Sequence, residues 1–226
     1  MLGPDDLVAI GLSLKVALAA TAGGLPVALL LGHLLARGRF RGRAVLDAAI
    51  HLPLVVPPVA TGFALLVLFG REGPLGAPLA RIGIQLPFHW TGAALASAVM
   101  ALPLMVRPIR QAIEAIDPQL YEAGRTLGAG GLARFARITL PLAAPGLATG
   151  AVLGFARALG EFGATLTFAA AIPGETLTLP TDIYQAVQSP SGDARALTLC
   201  GVSAAIALAA VLVSEALARR ARLRGL

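Results

Sequence analysis

Five long apolar runs constrain this chain more than any other feature of its sequence. They cover residues of about 7–36, 45–69, 90–113, 142–170 and 196–218. An α-helix needs about 20 predominantly apolar residues to cross the hydrocarbon core of a bilayer, and each run is long enough. Only 13% of the 226 residues are charged, against about a quarter in an ordinary soluble domain. The sequence therefore predicts an all-α integral membrane protein, a single transmembrane domain of five helices over residues 1–226.

Basic residues indicate which ends of these runs face the cytoplasm. Thirteen of the 18 Lys and Arg residues fall in three segments beside apolar runs, at 37–43, 107–137 and 219–224. Positive charge accumulates in cytoplasmic loops, so these segments are predicted to lie inside and the N-terminus, with Asp5 and Asp6, outside. The same distribution argues against nucleic acid as a partner, because the basic residues lack the interleaved aromatic residues of a nucleic-acid surface.

Two of the runs carry residues that kink a helix or let it pack closely. The second run contains three prolines within HLPLVVPPVATG (51–62), and proline removes a backbone donor and kinks a helix. The fourth run contains Gly146, Gly150 and Gly154, a spacing that lets another backbone approach. From the sequence, the partner of this glycine stripe is a helix of the same chain or of a second copy. The proline kinks are either functional or a packing feature.

A basic, glycine-rich stretch at 117–146 interrupts the apolar runs near the middle of the chain. Asp117 is a good N-cap, Pro118 occupies the favoured first helical position, and Gly128 is a suitable C-terminal glycine. A second short helix is predicted at about 131–138, before the chain re-enters the bilayer. The stretch is predicted to be a helix-turn-helix at the cytoplasmic surface, which either rests on lipid or docks a soluble partner.

The spacing within this stretch resembles the EAA loop of ABC importer permeases. Glu122-Ala123-Gly124 is followed by three residues and Gly128, then by nine residues and Ile138-Thr139-Leu140-Pro141. Gly124 departs from the alanine that is usual in the family, a change that weakens a helix by up to about 1 kcal/mol. The resemblance implies that a coupling loop at 114–141 binds a separate ATPase subunit. The residues implied in that contact are Glu122, Ala123, Gly124, Arg125, Leu127, Gly128, Ile138, Leu140 and Pro141.

The chain as a whole is similar to the permeases of bacterial molybdate importers. The segments that carry the similarity are LSLKVAL (12–18), HLPLVVPPVATGFALLVLFG (51–70), MALPLMVRPIRQAIE (100–114), GRTLGAG (124–130) and FARALGEFGATLTFAAAIPGETLTLP (155–180). The resemblance implies the permease subunit of an ATP-driven molybdate importer in the bacterial inner membrane. Two copies of the chain would assemble with two ATPase subunits and an external oxyanion-binding protein. Because ALGEFGAT also resembles sulfate and tungstate permeases, those substrates remain alternatives.

Arg157 and Glu161 are the most informative charges inside an apolar run. They stand four residues apart on one predicted helix, so their side chains can pair. Ionisable residues within a membrane span are functional candidates. Together with Gly163 and Thr165 of the same segment, they are predicted to belong to the translocation path or its gate. The alternative is a structural ion pair that ties the span to a neighbour.

No catalytic chemistry is predicted for this chain itself. A Walker A loop reads G-x-x-x-x-G-K-[ST], but the only lysine, Lys15, lies in the first apolar run without those glycines. ATP is therefore expected to be hydrolysed by another polypeptide. The three histidines are scattered and Cys200 is alone, so neither a metal nor a cofactor is expected. The remaining alternative, an ion-coupled secondary transporter, predicts inverted repeats and mid-membrane acids that the sequence lacks.

Overall fold

The computed structural model describes residues 3–38 and 40–223, and every regular element within those residues is a helix. The elements are α1 (Pro4–Arg37), α2 (Arg43–Val55), α3 (Pro58–Phe69), α4 (Gly76–Arg81), α5 (Trp90–Glu114), α6 (Pro118–Thr126), α7 (Gly131–Arg134), α8 (Leu140–Leu142), α9 (Ala144–Leu159), α10 (Gly163–Ala169), α11 (Leu179–Val187) and α12 (Asp193–Leu223). A π-helical turn, Phe135–Thr139, joins α7 to α8. Arg39 and Arg224 of the predicted cytoplasmic segments lie outside the described residues.

Three of these helices are long and apolar enough to cross a membrane: α1, α5 and the Asp193–Ala210 part of α12. Two further candidates are bent pairs. The segment Gly131–Leu142 meets α9 at a bend of 66°, and α2 meets α3 at a bend of 116°. The described residues therefore contain three candidate spans, or up to five if each bent pair counts as one. The predicted all-helical membrane architecture is confirmed, whereas the count of five and the outward N-terminus remain predictions.

The bend between α2 and α3 follows from consecutive prolines. The sequence predicts one span over 45–69, but the structure has two helices there, α2 and α3. The residue before a proline avoids the helical conformation, and Val56 precedes Pro57, which itself precedes Pro58. Val56 and Pro57 are accordingly extended, with ψ angles of 137° and 134°. The helix ends before these two residues, and a new one begins at Pro58.

The predicted span at 142–170 is also interrupted. A break at residues 160–162 separates the end of α9 from the start of α10. Glycine is a poor helix residue, and Gly160 ends α9. The side chain of Glu161 then accepts a hydrogen bond from the backbone N–H of Ala164, near the start of the new helix. The sequence predicts that Arg157 and Glu161 share one helix, and this prediction is wrong. Arg157 lies in the last turn of α9, whereas Glu161 lies in the break that follows it.

Helices α1, α5 and α9 pack together as the core. The glycine stripe of α9 faces α5. A Cβ atom added to Gly146 would lie 2.7 Å from the carbonyl oxygen of Pro108, and one added to Gly150 would lie 2.9 Å from that of Met105. No side chain fits at such distances, so the glycines let the two backbones approach each other. The partner of the stripe is thus a helix of the same chain.

A second close contact joins α3 to α10. A Cβ atom on Gly62 would lie 2.6 Å from the carbonyl oxygen of Ala164, and one on Gly163 would lie 2.9 Å from the Cβ atom of Pro58. Phe168 of α10 is fully buried in the same cluster. The two helices that follow the breaks are therefore packed against each other.

The N-terminal end of α1 is covered by α11. The backbone N–H of Leu179 donates to Oγ of Ser13 over 2.6 Å. Arg195 of α12 forms ion pairs with Asp6 at 2.6 Å and with Asp182 at 2.7 Å. Burial raises the pKa of Asp182, and the nearby Arg195 offsets only part of that effect. These contacts tie α1, α11 and α12 together at the end of α1 that lies away from α6.

Candidate functional site

The glycine-rich stretch folds as a helical hairpin beside the C-terminal ends of α1 and α5. Oδ1 of Asp117 accepts a hydrogen bond from the backbone N–H of Gln119 at 2.9 Å, so the predicted N-cap is confirmed. α6 ends at Thr126, and Gly128 follows with φ of +77°. Glycine adopts this left-handed conformation at little cost. The predicted helix-turn-helix is therefore present.

The outer surface of this hairpin leaves large apolar side chains uncovered. Leu127 is 86% exposed and Leu132 is 82% exposed. Glu122, Ala123 and Arg125 are exposed beside them, and no residue of α6 is buried. Two leucines with more than four fifths of their surface uncovered flank the same turn. This surface is built to be covered by a partner or by lipid.

Gly124 marks a close approach between the two arms of the hairpin. A Cβ atom at this position would lie 3.1 Å from Cδ1 of Ile138 and 3.3 Å from Cγ of Arg134. An alanine would therefore require both side chains to shift by a few tenths of an ångström. The departure from the family's alanine has a packing reason that the sequence alone does not reveal. Leu140 and Pro141, the last residues of the predicted motif, are exposed.

The inner surface of the hairpin is connected to the core by residues that the sequence analysis missed. Nη2 of Arg37 donates to the carbonyl oxygens of Ile113 at 3.0 Å and Ile116 at 2.9 Å. The same guanidinium lies over the ring of Tyr121, 4.2 Å from its centroid. The hydroxyl of Tyr121 is 2.9 Å from Oγ1 of Thr139, which is fully buried in the π-helical turn. α6 therefore contacts the end of α1 and the segment that leads into α9, and Arg37 connects it to the end of α5.

The predicted ion pair is formed across the break after α9. Nη1 of Arg157 lies 2.6 Å from Oε2 of Glu161. The Glu161 side chain is 1% exposed and that of Arg157 is 25% exposed. Oε1 of Glu161 accepts from the backbone N–H of Ala164 at 2.8 Å. One carboxylate thus holds the end of α9 and the start of α10 together.

The other two predicted path residues, Gly163 and Thr165, are both buried. Oγ1 of Thr165 donates to the carbonyl oxygen of Phe162 at 2.9 Å. Gly163 contacts Pro58 and Val59 of α3. In this structure both residues contribute to the packing of α10, and their role in a path or gate stays a prediction.

Lys15, the one lysine, binds an aromatic ring. Its Nζ lies 3.7 Å from the centroid of the Trp90 ring, a distance at which the ring quadrupole attracts a cation. The sequence does not predict this contact, because the two residues are 75 positions apart. Among residues 3–38 and 40–223, no group of three His, Cys, Asp or Glu side chains is arranged to hold a metal ion.

Residues 24–223 match the model of a protein family described as binding-protein-dependent transport system inner membrane component. The match covers most of the chain, and the chain belongs to this family. It is therefore an inner-membrane component of a transport system, as the sequence predicts.

Named relatives make the resemblance more specific. The chain is 51% identical over 217 residues to the molybdenum transport system permease protein ModB of Escherichia coli (strain K12), covering 96% of this chain and 95% of that protein. It is 46% identical over 216 residues to ModB of Haemophilus influenzae, covering 95% and 94%. The sulfate transport system permease protein CysW of Synechococcus elongatus is 36% identical over 192 residues, covering 84% and 67%. The predicted similarity to molybdate permeases is confirmed.

Solved structures confirm the fold. A chain of a bacterial ABC transporter involved in the import of alginate has a TM-score of 0.75 at 20% identity, covering 97% of this chain and 80% of that chain. A chain of the MetNI methionine ABC transporter has a TM-score of 0.71 at 18% identity, covering 94% of each. At these identities the likeness shows the fold alone, which is that of ABC importer permeases.

Proposed function

We propose that this chain is the membrane-spanning permease subunit of an ATP-driven molybdate importer. The observation that carries the proposal is 51% identity to a molybdenum permease across 96% of the chain. The sulfate permease relative is less similar, at 36% identity, so sulfate is the weaker candidate, and no named relative favours tungstate. The family match and the importer fold do not support an ion-coupled secondary transporter.

In this proposal α6 is the coupling helix that binds the ATPase subunit. The exposed surface formed by Glu122, Arg125 and Leu127 supports this role, because it offers charge and apolar area together. Ile138, Leu140 and Pro141 continue from the second arm toward α9. Since the chain lacks a Walker A sequence, ATP is hydrolysed by the partner. Two ATPase subunits and two copies of this chain would form the complete complex.

The inner contacts of α6 supply a physical route from the ATPase to the membrane helices. Movement of α6 is resisted by the stacking of Arg37 on Tyr121 and by the contact between Tyr121 and Thr139. Thr139 belongs to a π-helical turn, a feature found often at functional sites. A shift of α6 would therefore be transmitted to α9 and to the break that follows it.

We also propose that α6 lies on the cytoplasmic side and the N-terminus outside, as the arginine distribution predicts. With α2 and α3 counted together as one span, and α9 with α10 as another, the chain crosses the membrane five times. Residues 70–89 and 171–195 then face outward, where an external oxyanion-binding protein would dock. The apolar surface of α2 and α3, on which Val55 is 83% and Phe63 60% exposed, would be covered by lipid or by the second copy.

The proposed gate is the contact between α3 and α10, together with the Arg157–Glu161 pair at the break between α9 and α10. Ion pairing supports this assignment, because an unpaired arginine would retain a dianion whereas a neutralised one lets it pass. Gly163 and Thr165 take part by holding α10 against α3. The gate opens when α3 and α10 separate.

Transport in liposomes tests the substrate. The permease, its ATPase and its binding protein would be reconstituted, and ATP-driven uptake of labelled molybdate, tungstate and sulfate compared. Molybdate uptake is expected to exceed sulfate uptake strongly. Uptake of sulfate without molybdate in the complete system would contradict the proposal.

A glycine pair in one turn tests the coupling helix. Gly128→Ala forces a side chain into φ of +77°, whereas Gly130→Ala is a matched control at φ of −64° with free space around it. The left-handed conformation costs an L-residue about 1–2 kcal/mol. Gly128→Ala is expected to weaken copurification of the ATPase and to reduce transport, and Gly130→Ala to change neither. Equal behaviour of the two variants would show that the left-handed conformation of Gly128 is not needed for ATPase binding.

A charge reversal tests the contact surface itself. Glu122→Lys is expected to abolish both uptake and copurification of the ATPase while the protein stays inserted. Glu72→Lys, an exposed reversal in the turn before α4, is the control for copurification alone, because it lies in the loop proposed to face outward. Wild-type transport and undiminished ATPase binding by Glu122→Lys would exclude α6 as the docking surface.

A further inference from the structure

A cavity of about 400 Å³ lies between α2 and the last two turns of α5. Its wall carries the side chains of Asp47 and His51 from α2 and of Arg107, Arg110 and Glu114 from α5. It is at the same end of the molecule as α6, because α5 ends only four residues before α6 begins. Under the proposed topology this cavity lies at the cytoplasmic face of the membrane.

Most of the charge in the cavity is neutralised within the protein. Nη1 of Arg110 lies 2.9 Å from Oδ2 of Asp47, and its Nε lies 2.8 Å from Oε1 of Glu114. Arg43 adds a third contact, with its Nη2 at 3.3 Å from the same Glu114 oxygen. Nδ1 of His51 donates to the carbonyl oxygen of Asp47 at 2.8 Å. These contacts hold α2 against α5. The carboxylates of Asp47 and Glu114 are thereby paired with Arg43 and Arg110.

Arg107 is the arginine of the cavity wall that the carboxylates of Asp47 and Glu114 do not neutralise. It is exposed and lines the cavity, and no hydrogen bond or ion pair among the described residues occupies its guanidinium. Gln111, one turn further along α5, contributes a neutral amide to the same wall. A guanidinium beside an amide donor is a suitable arrangement for an oxyanion, because the planar fork matches two oxygens at once.

The cavity also lies on the bent pair that carries the proposed gate. His51 and Asp47 belong to α2, and α3, which follows the bend, packs against α10. An anion that passes between α3 and α10 would therefore leave along α2. We propose that the cavity is the exit site for the transported tetrahedral oxyanion, with the guanidinium of Arg107 as its principal ligand. This inference rests on the proposed function.

The size of the cavity predicts a weak site. A volume of about 400 Å³ corresponds to roughly 13 water molecules, at about 30 Å³ each in the liquid. A small dianion would enter with part of its hydration shell and with one unpaired cation beside it. A site on a transport path must bind strongly enough to be occupied and weakly enough to be vacated, and these properties suit release. The phosphate of a lipid headgroup shares the same chemistry and is distinguished by experiment.

The test uses the intact permease–ATPase complex, without nucleotide, in nanodiscs of phosphatidylcholine. Equilibrium dialysis with radiolabelled molybdate would compare the wild type with Arg107→Gln and with Arg41→Gln. The control removes one exposed arginine near the same end of the molecule but outside the cavity wall. Arg107→Gln is expected to weaken binding about tenfold, as loss of a charge-assisted hydrogen bond does, and Arg41→Gln less than twofold. Arg107→Lys keeps the charge but loses the planar guanidinium, so its molybdate affinity is expected to lie between those of the other two variants. If Arg107→Gln fails to assemble, the affinity of Arg107→Lys tests the proposal instead.

The lipid source is tested in nanodiscs that contain phosphatidylglycerol, with the retained lipid measured by mass spectrometry. If Arg107→Gln releases phosphatidylglycerol but leaves molybdate binding unchanged, the cavity holds a headgroup and the exit site is overturned. Unchanged molybdate binding without any lipid effect overturns it as well. The proposed function fails separately, through wild-type liposomes that import sulfate and no molybdate, and the same dialysis with sulfate would then test the cavity.

Discussion

Replacement of Glu161 is expected to separate two roles that one carboxylate combines. Its Oε2 pairs with Arg157 at 2.6 Å, and its Oε1 accepts from the backbone N–H of Ala164 at 2.8 Å. Glu161→Ala removes both contacts. Glu161→Gln keeps an oxygen for Ala164 and removes only the charge. The difference between the two variants therefore measures the value of the backbone hydrogen bond at the break.

The magnitudes follow from burial. Removing one partner of a buried ion pair costs about 3–5 kcal/mol, chiefly because the other charge is left uncompensated. Here the charge left behind is on Arg157, whose side chain is 25% exposed, so water screens it and the lower end applies. We expect Glu161→Gln, which leaves Arg157 uncompensated but keeps an acceptor for Ala164, to lower the free energy of unfolding by about 3 kcal/mol. Glu161→Ala should lower it by about 4–6 kcal/mol, since a buried N–H left without an acceptor adds about 1–3 kcal/mol.

Unfolding by SDS in mixed micelles measures these values, with the fluorescence of Trp90, the single tryptophan, as the signal. Glu72→Ala, at an exposed position, is the control and should stay within about 0.5 kcal/mol of the wild type. The exchanged pair Arg157→Glu with Glu161→Arg supplies the decisive case. Arginine has no acceptor for the N–H of Ala164, so the exchange should not recover stability. Recovery to the wild-type value, or equal losses for the Ala and Gln variants, would show that the hydrogen bond from Ala164 to Glu161 does not stabilise the break.

Three further predictions concern packing, pH and the contact behind α6. Gly146→Ala should destabilise the protein more than Gly154→Ala, because the first would meet the Pro108 carbonyl at 2.7 Å and the second only the flexible Met105 side chain at 2.6 Å; thermal unfolding of both variants checks the order. The raised pKa of Asp182 means that the folded protein holds that proton more tightly than the unfolded chain, so its contribution to stability is present below pH 3.8 and is lost as the pH rises through the raised pKa. Asp182→Asn should remove this part of the pH dependence at pH values above 3.8, which the difference between variant and wild-type melting temperatures would show. Tyr121→Phe keeps the stacking on Arg37 but loses the contact with Thr139, and should cost about 0.5–1.5 kcal/mol while lowering molybdate transported per ATP hydrolysed.

Local chemistry explains which parts of the fold the sequence predicts. Asp117, Pro118 and Gly128 act on their own neighbours, so the start and the end of α6 follow from residue type and spacing alone. The prolines at 57 and 58 predict that a helix is disturbed for the same reason. The bend of 116° does not follow from them, because the direction of α3 is set by its packing against α10, about 100 residues further along the chain.

Contacts between residues that are distant along the chain do not follow from the sequence. Arg37 contacts Ile113 and Tyr121, and nothing in the residues around position 37 distinguishes this arginine from the others of the basic segment. Arg107 and Arg110 likewise look equivalent in the sequence. The structure separates them, because Arg110 faces two carboxylates and Arg107 faces an open cavity.

The break after α9 bears on where anion selectivity resides. Inside a bilayer a free backbone group costs several kcal/mol, so a broken helix needs internal partners. Glu161 supplies an acceptor for the N–H of Ala164, and the hydroxyl of Thr165 donates to the carbonyl of Phe162. Gly163 lets α3 approach. Each of these residues of ALGEFGAT is thus accounted for by the backbone and the packing of the break, whichever oxyanion passes. That agrees with the resemblance of this segment to sulfate and tungstate permeases as well as molybdate permeases, and it directs the search for discrimination to residues outside 158–165 and to the binding protein.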